Sequence, residues 1–468
     1  MKLFKVLQKL DSRELTRFGQ FLETPLFNRR ADVKQLFELW LKGQKRQQGP
    51  PAFWAQLFPD RPFSAKDWNL LTSRLFKLLE EYLALNEIRK NEAQKKFYLA
   101  KAYRKIQQEQ LFKAAIRDAG KAWEKQTLRN TDYLRGQHDL SFEQYEYIIS
   151  INRKEKTNLQ EVSDHLDAYI LAAKLRQACY ALSRESIKQE AYEIGLLNEV
   201  LHYIKAHPAY LDIPAIAIYY FCYQMLVSDD QAFFFRQLRE AISNYQHYFP
   251  PSEMRDIYTF AINYSIRELN SGSTVFIREA FELYVLILEQ GYLLEDGVML
   301  ESTFSNIVTL ASKLDKYAWA RQFIHDYKQH LKPAFRTPIF HFSLGKLFYE
   351  EGQLEESLKE LVKVETKASF LLLAARTLQL KIYYELKEFD PLESLLESLR
   401  VYLQRSKNLA YRREHYHNIL IFARQLLQMP IMGRAERKQL YDRIMHAEHF
   451  AEKEWFLKQL RLSKYDFQ

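Results

Sequence analysis

The sequence predicts an all-α protein, in which an N-terminal helical domain is followed by an α-solenoid of helix hairpins. Its 468 residues are too many for one ordinary hydrophobic core, so we expect several domains or a repeat array. Only 12 glycines and 13 prolines occur, whereas strand-rich and nucleotide-binding α/β folds need many tight turns and close backbone approaches. A hydrophobic content of 47%, with 32 phenylalanines and 30 tyrosines, supplies bulky side chains for helix packing.

Residues 1–85 are predicted to form a compact N-terminal helical domain. Asp11 and Glu14 have the spacing of a capping box, and Pro25 ends the helix that follows them. Ser64 and Asp67 open a later, longer helix in the same way. The expected core side chains recur at helical spacing in three stretches: Leu15, Phe18, Phe21 and Leu22; Val33, Leu36, Phe37 and Trp40; Trp68, Leu71, Leu75, Leu78, Leu79 and Tyr82.

Residues 86–195 are predicted to form a basic connecting region of longer and more polar helices, in which no repeat is evident. Its expected inward-facing residues are Tyr98, Tyr103, Phe112, Ile116 and Trp123. Cys179 lies in this region and Cys222 follows it, both in apolar helical surroundings and outside any CxxC or Cys/His group. We expect both to be buried free thiols.

Residues 196–468 are predicted to form the repeat array, because loop-favouring residues divide this part of the chain into hairpins of roughly 35 residues. The hexapeptide that begins at Gly345 matches the hexapeptide that begins at Leu380, and each precedes a short turn and a second helix. An earlier unit fits the same frame through Ala311, Asp315, Tyr317, Ala320 and Ile324. The pattern resembles the TPR motif, although His341 and Arg376 stand where that motif usually has tryptophan.

The last part of the array is interpreted as a cap over its open end. The expected cap side chains are Phe450, Trp455, Phe456 and Leu460. An exposed Trp455 would instead indicate a docking or dimerisation face.

Four short segments carry a resemblance that extends over nearly the whole chain. They are Leu22-Glu23-Thr24-Pro25-Leu26-Phe27-Asn28, Asn263-Tyr264-Ser265-Ile266-Arg267, Lys381-Ile382-Tyr383-Tyr384-Glu385 and Ala451-Glu452-Lys453-Glu454-Trp455. On these segments the chain resembles a bacterial family of similar length, with no established activity, that combines an N-terminal helical domain with TPR-like repeats. The resemblance implies the architecture and leaves the function open.

No motif in the sequence predicts a catalytic, cofactor-binding or metal site. The patterns GxGxxG, GxxxxGK[ST], GxSxG and DxDxDG do not occur. His446 and His449, with Glu452 nearby, have a spacing that fits one helix face, but they lack the HExxH pattern and are interpreted as surface histidines. His415 and His417 would point about 200° apart on a helix. We therefore expect a protein that is not an enzyme and needs no cofactor.

Positive charge is concentrated in two segments, residues 84–130 with 12 basic against 5 acidic side chains and residues 400–468 with 14 against 7. In the first, Lys113, Arg117, Lys121 and Lys125 recur every four residues and form what we call the basic stripe, roughly 18 Å long. Arg104, Lys105 and Arg129 are candidates to extend it. The stripe fits either a phosphate backbone or a solvated helix face whose opposite side is buried.

The repeat offers a second candidate surface, a partner-binding groove. In a TPR-like array the first helix of each pair lines the concave face, where Lys346 and Tyr349 would stand beside Lys381 and Tyr384. Such Lys/Tyr pairs suit the carboxylates and apolar side chains of a peptide. Glu350 and Glu385 recur with them, however, and the alternative is an inter-repeat network in which these glutamates pair with the lysines.

These observations favour a non-enzymatic scaffold or adaptor that binds a protein or peptide partner on the concave face of the helical array. The alternative is a nucleic-acid-associated protein that uses basic helical faces around residues 89–129 and 400–443, and steep salt dependence would distinguish it. An enzymatic function would require a deep pocket with converging polar groups. The sequence shows no secretion signal and no membrane span, so we expect a cytoplasmic location.

Overall fold

The computed structural model describes residues 2–43, 49–188, 191–294, 297–366, 368–405, 412–447, 450 and 452–462. The elements of regular structure in these ranges are α-helices and short 3-10 helices, which confirms the all-α prediction. The chain forms two compact units, Met1–Tyr223 with Glu240–Phe249, and Gln224–Arg239 with Pro250–Gln468. The predicted boundaries at residues 85 and 195 stay predictions.

The first unit contains ten complete helices in its described part. They are α1 Lys2–Leu7, α2 Ser12–Glu23, α3 Ala31–Gly43, α4 Pro50–Leu57, α5 Ala65–Lys90, α6 Glu92–Lys105, α7 Glu109–Lys125, α8 Thr131–Ile151, α9 Leu159–Lys188 and α10 Leu197–Ala206. Two further helices, α11 Pro214–Val227 and α12 Gln231–Tyr245, contribute residues to both units.

Helices α1 to α5 share one aromatic-rich core. The capping box at the start of α2 is confirmed, since the Asp11 carboxylate accepts a bond from the Glu14 backbone at 2.8 Å and the Glu14 carboxylate accepts one from the Asp11 backbone at 3.2 Å. The predicted apolar stripes of α2, α3 and α5 meet in this core, with Phe18 and Phe37 fully buried. Helix α1, which the sequence analysis missed, adds Leu3 and Leu7 to it.

Helices α6, α7 and α8 pack around a second core. Phe112, Ile116 and Trp123 are buried on α7 as predicted. The prediction for Tyr98 was wrong, because this side chain is 46% exposed. Helix α6 buries its small residues, Ala93 and Ala100, against α7, and Tyr98 lies on the other side of the helix.

The two cysteines confirm their prediction. Cys179 and Cys222 are both buried and free. The Cys179 thiol donates a hydrogen bond to the backbone carbonyl of Tyr219 at 3.5 Å, and burial raises the pKa of this thiol. A raised pKa keeps the thiol protonated, as expected for a structural rather than a reactive cysteine.

The second unit contains eleven complete helices in its described part, and each packs on the next one along the chain. They are α13 Pro251–Asn270, α14 Val275–Glu289, α15 Glu301–Lys313, α16 Tyr317–Tyr327, α17 Pro333–Glu350, α18 Leu354–Leu361, α19 Ser369–Glu385, α20 Phe389–Arg405, α21 Arg412–Gln428, α22 Arg434–His446 and α23 Lys453–Leu462. In addition, α17 contacts both α15 and α19, so the first helices of successive pairs lie side by side.

One turn geometry recurs between the helices of the pairs α15–α16, α17–α18 and α19–α20. Its central residues, Asp315, Gly352 and Lys387, all have positive φ, at 56°, 77° and 60°. In each turn the next backbone N–H donates to a carbonyl five residues earlier, at 2.8 to 2.9 Å, which closes the helix end as a Schellman motif. The helix–turn–helix units therefore occur where the self-match predicts them.

Helices α17 and α18 approach each other closely at Gly345. The Ser357 hydroxyl donates to the Gly345 carbonyl at 2.6 Å. A Cβ atom at Gly345 would lie 2.7 Å from Cγ of the buried Leu361. The absence of a side chain at Gly345 thus allows the contact.

Helices α19 to α23 enclose the last core of the chain. The predicted cap residues Phe450, Trp455, Phe456 and Leu460 are all buried in it. Trp455 is only 8% exposed, so the condition for a docking or dimerisation face is not met. Helix α23 is anchored in the second unit by this aromatic core.

Candidate functional site

A hollow of about 500 Å³ opens in the second unit, between the first helices of successive pairs and the C-terminal helix. Its cationic side chains are Lys313 from α15, Lys346 from α17 and Lys381 from α19, and we call it the lysine hollow. Apolar and aromatic side chains form much of the remaining wall, with Phe342, Tyr349, Leu378, Tyr416 and Trp455 among them. Three of the four predicted groove residues, Lys346, Tyr349 and Lys381, therefore line one hollow.

Lys346 holds a positive charge in the hollow with no carboxylate beside it. Its Nζ donates a hydrogen bond to Oγ1 of Thr309 on α15 at 2.8 Å, and its side chain has little exposure to solvent. Among the described residues, no carboxylate oxygen lies within ion-pairing distance of this ammonium, although Glu350 and Glu452 are near enough to favour its charged form. Burial is the main reason that the pKa of Lys346 is lowered, and Lys381 and Lys313 lower it further.

Lys381, by contrast, forms an ion pair with Glu452, which directly precedes α23. Both side chains are mostly buried, at 15% and 24% exposure. The Lys381 ammonium also lies 5.8 Å from the centre of the Trp455 ring. Within the described residues, neither Glu350 nor Glu385 forms an ion pair with Lys346 or Lys381, so the alternative network of glutamates paired with these lysines is not found. Lys381 pairs with Glu452 instead.

Glu385 instead joins α19 to two other helices. One oxygen, Oε1, accepts a hydrogen bond from the Tyr349 hydroxyl of α17 at 2.8 Å and one from Nε1 of Trp455 at 2.6 Å. Burial and the bond to Glu385 raise the pKa of Tyr349, so this phenol is a hydrogen-bond donor at neutral pH. The shared carboxylate fixes Tyr349 and Trp455 in the wall of the hollow.

Tyr384, the fourth predicted groove residue, lies behind Trp455. The two rings meet edge to face, with their centres 5.6 Å apart. Tyr384 lines a neighbouring hollow of about 580 Å³ together with Phe389, Met429 and Arg437. Its contribution to the lysine hollow is therefore indirect, through the position of Trp455.

The basic stripe on α7 is exposed at all four positions, Lys113, Arg117, Lys121 and Lys125. Lys113 pairs with Glu109 at 2.7 Å, and the guanidinium of Arg117 lies 3.9 Å from the carboxylate of its neighbour Asp118. No ion pair within the described residues involves Lys121 or Lys125. The net field of the stripe is accordingly weaker than the spacing of its four cations indicates.

The proposed extension of the basic stripe was wrong at two of its three positions. Arg104 binds two carboxylates of α8, the buried Glu143 through Nε and Glu146 at 2.6 Å. The Arg129 guanidinium donates to backbone carbonyls at the end of α7 and lies 4.4 Å from the centre of the Tyr133 ring. Lys105 is exposed. Arg104 and Arg129 are thus structural residues, for which sequence spacing gave no signal.

The histidine candidates do not converge on a metal site. Within the described residues, no three His, Cys, Asp or Glu side chains are grouped so that they could hold a metal ion. His415 lines the lysine hollow, His417 is exposed, and Nδ1 of His446 bonds to the carbonyl of Asp442 at 2.7 Å. His449 lies outside the described residues. None of the described helices has the length and apolar character to cross a membrane.

Sequence reasoning missed Thr309, and it assigned Glu452 and Trp455 to other roles. The only signal for the last two was their place in the segment Ala451–Trp455, where the acid and the tryptophan lie three residues apart and so on one side of a helical turn. That spacing lets one turn reach both Lys381 and Glu385.

No protein-family model, no curated protein and no solved structure matches this chain. The resemblance to a bacterial family with TPR-like repeats rests on the four quoted segments alone.

Proposed function

We propose that this protein is a non-enzymatic interaction module, a scaffold or adaptor that binds a peptide segment of a partner protein in the lysine hollow. The observation that carries the proposal is Lys346, a partly buried ammonium with no ion-paired carboxylate among the described residues. An ammonium removed from water without an anion has an unfavourable free energy, and a bound carboxylate would offset it. The hollow therefore favours an acidic partner.

The other walls of the hollow favour a peptide over a small ion. Phe342, Leu378 and Tyr416 offer apolar surface beside the lysines, which fits a segment that alternates acidic and apolar side chains. The walls belong to helices that are packed without the ligand, so little conformational entropy is lost on binding.

The array architecture and the bacterial family are part of the same proposal. The side-by-side contacts of α15, α17 and α19 and their identical turns support a TPR-like solenoid, in which first helices line a binding face. A cytoplasmic location fits a partner that is another intracellular protein.

A selection of random peptides displayed on phage tests the proposal. The full chain serves as bait, and the Lys346→Met variant removes peptides that bind elsewhere. Enriched peptides should carry Asp or Glu, and loss of a hydrogen bond to a charged group predicts about 10- to 100-fold weaker binding to Lys346→Met in fluorescence anisotropy. The matched control is Lys359→Met, on an exposed lysine of α18 outside the hollow. Peptides that bind both variants equally well would refute the proposal.

A second candidate function, nucleic-acid association, is favoured by the exposed Lys121 and Lys125 on α7. Its test is the binding of a 20-base-pair DNA duplex and of the single strand at 50 and 200 mM salt. Phosphate contacts predict a steep loss of affinity with salt and a further loss in the Lys121→Glu, Lys125→Glu double variant. Affinity that is independent of salt and of these two charges would contradict this function.

A further inference from the structure

We infer that the lysine hollow is a site for two carboxylates, in which Glu452 is an internal ligand of Lys381 and a partner's acidic segment binds Lys346 and competes with Glu452. The inference rests on the proposed function and names the chemistry of its partner. It also assigns a role to Glu452, a residue close in sequence to the buried cap.

The two lysines line the same hollow but differ in their partners. Lys381 has the carboxylate of Glu452, whereas Lys346 has the hydroxyl of Thr309. The charge of Lys381 disfavours the charged form of Lys346, since like charges repel. A segment with two acidic side chains would bind both ammonium groups and relieve this repulsion.

Glu452 can leave Lys381 without any movement of helix α23. The helix is held by Trp455 and Phe456, which are buried in the core at 8% and 1% exposure, and by the bond from Trp455 to Glu385. Glu452 itself precedes the helix and keeps 24% of its side chain exposed. Exchange of one carboxylate for another on Lys381 therefore requires a side-chain rotation alone.

Because Glu452 already occupies Lys381, the affinity of a partner segment should depend on how many acidic residues it carries. A segment with one acidic residue can bind Lys346 without displacing Glu452, so its affinity should depend less on Glu452 than that of a segment with two acidic residues. A segment with two acidic residues must replace an existing ion pair of a mostly buried lysine, which lowers its apparent affinity. The site thereby discriminates by the number of carboxylates.

Chemical labelling of lysine tests the internal ligand without any partner. The probe is pyridoxal 5′-phosphate, whose aldehyde condenses with a neutral amine to an imine and water, and borohydride then fixes the label for peptide mapping. In the wild-type protein Lys346 should be labelled and Lys381 protected by its ion pair. In Glu452→Gln, labelling of Lys381 should rise several-fold. The Glu452→Asp variant, which withdraws the carboxylate by one methylene, should give an intermediate value.

Glu454→Gln is the matched control. Glu454 lines the same hollow and is exposed, and it forms no ion pair within the described residues. Its replacement removes the same charge and should leave the labelling of Lys381 unchanged. Equal labelling of Lys381 in the wild type and in Glu452→Gln would overturn the inference, and so would an unlabelled Lys346.

Peptide binding then separates this inference from the proposed function. For a selected peptide with two acidic residues, Glu452→Gln should raise the affinity about 3- to 10-fold, the range expected for loss of a competing ion pair. A peptide with one acidic residue should gain less affinity from Glu452→Gln than the peptide with two. Binding that depends on Lys346 but not on Glu452 would refute the internal ligand and leave the proposed function intact. Lysine labelling as predicted, without binding of any peptide, would refute the function instead.

Discussion

Replacement of Gly345 by alanine should destabilise the contact between α17 and α18. The new Cβ would lie 2.7 Å from Cγ and 2.8 Å from Cδ2 of Leu361, and 3.3 Å from the backbone oxygen of Ser357. Carbon atoms prefer separations of about 3.5 to 4.0 Å, so Leu361 must withdraw by about 1 Å. Leu361 is 2% exposed, and the core around it leaves no room for that movement.

The magnitude follows from two opposing contributions. Overpacking of a filled core costs about 1 to 3 kcal/mol, and alanine favours a helix interior by about 1 kcal/mol over glycine. The net loss of unfolding free energy is therefore up to about 2 kcal/mol, which lowers Tm by up to roughly 8 °C for a unit of this size.

Calorimetry measures the loss of stability, and hydrogen exchange shows whether that loss is located at α17 and α18. Calorimetry gives the change in Tm, and exchange should quicken in the peptides that cover α17 and α18. Gly120→Ala on α7 is the control, because the nearest heavy atom to its new Cβ, Cδ2 of Leu140, lies at an ordinary 3.7 Å. That variant should be stabilised by up to about 1 kcal/mol.

The double variant Gly345→Ala, Leu361→Ala tests the cause. Leu361→Ala alone should cost about 2 to 5 kcal/mol, because it leaves a cavity. In that background, Gly345→Ala should no longer destabilise, since the atoms it would overlap are gone. The steric argument would be refuted if Gly345→Ala lowered the unfolding free energy equally with and without Leu361, or if Gly345→Ala alone raised it.

Four further predictions concern the lysine hollow. Lys346→Met should leave the unfolding free energy, measured in urea, unchanged or raise it by up to about 2 kcal/mol, because the variant removes a partly buried charge that has no ion-pair partner. A clear loss of unfolding free energy would contradict this. The difference in unfolding free energy between Lys346→Met and wild type should shrink as the pH rises from 7 towards 10.5, because the unfolded chain holds the proton of Lys346 more tightly than the folded chain does. A difference that stays constant with pH would show that burial does not lower the pKa of Lys346. Lys381→Met should lower the unfolding free energy by about 1 to 3 kcal/mol, since it leaves Glu452 partly buried without its cation. Trp455→Phe should lower it by about 1 to 2 kcal/mol, because the hydrogen bond to Glu385 is lost. A thermal melt of either variant that matches wild type would count against the contact that the variant removes.

The part of this structure that sequence predicts well depends on local signals. The capping box of Asp11 and Glu14 is a contact between residues three apart, and hydrophobic spacing gave the faces of α2, α3 and α5. The self-match placed Lys346 and Lys381 at equivalent positions of neighbouring first helices, and they line one hollow for that reason. Repetition makes such a contact predictable because each unit packs on the next in the same way.

The partners of these lysines were not predictable from the repeat. Glu385 recurs beside its lysine in the sequence, but its carboxylate is bound by Trp455, which lies 70 residues further along the chain. Helix α23 breaks the regularity of the repeat where it packs, and no spacing indicates which residues it will reach. Tyr98 shows the same limit, because α6 buries alanines instead of its largest side chain.

Because Glu452 and Trp455 lie near the end of the chain, the lysine hollow is completed late in translation. Apart from Glu454, which lies between them, the wall residues of the lysine hollow run from Lys313 to Tyr416 and are synthesised before them. At about 5 to 20 residues per second, the 36 residues from Tyr416 to Glu452 take about 2 to 7 seconds to translate. During that interval Lys381 lacks Glu452 and Glu385 lacks Trp455. A partner that binds the nascent chain meets two open lysines, whereas one that arrives after translation meets Lys381 already paired.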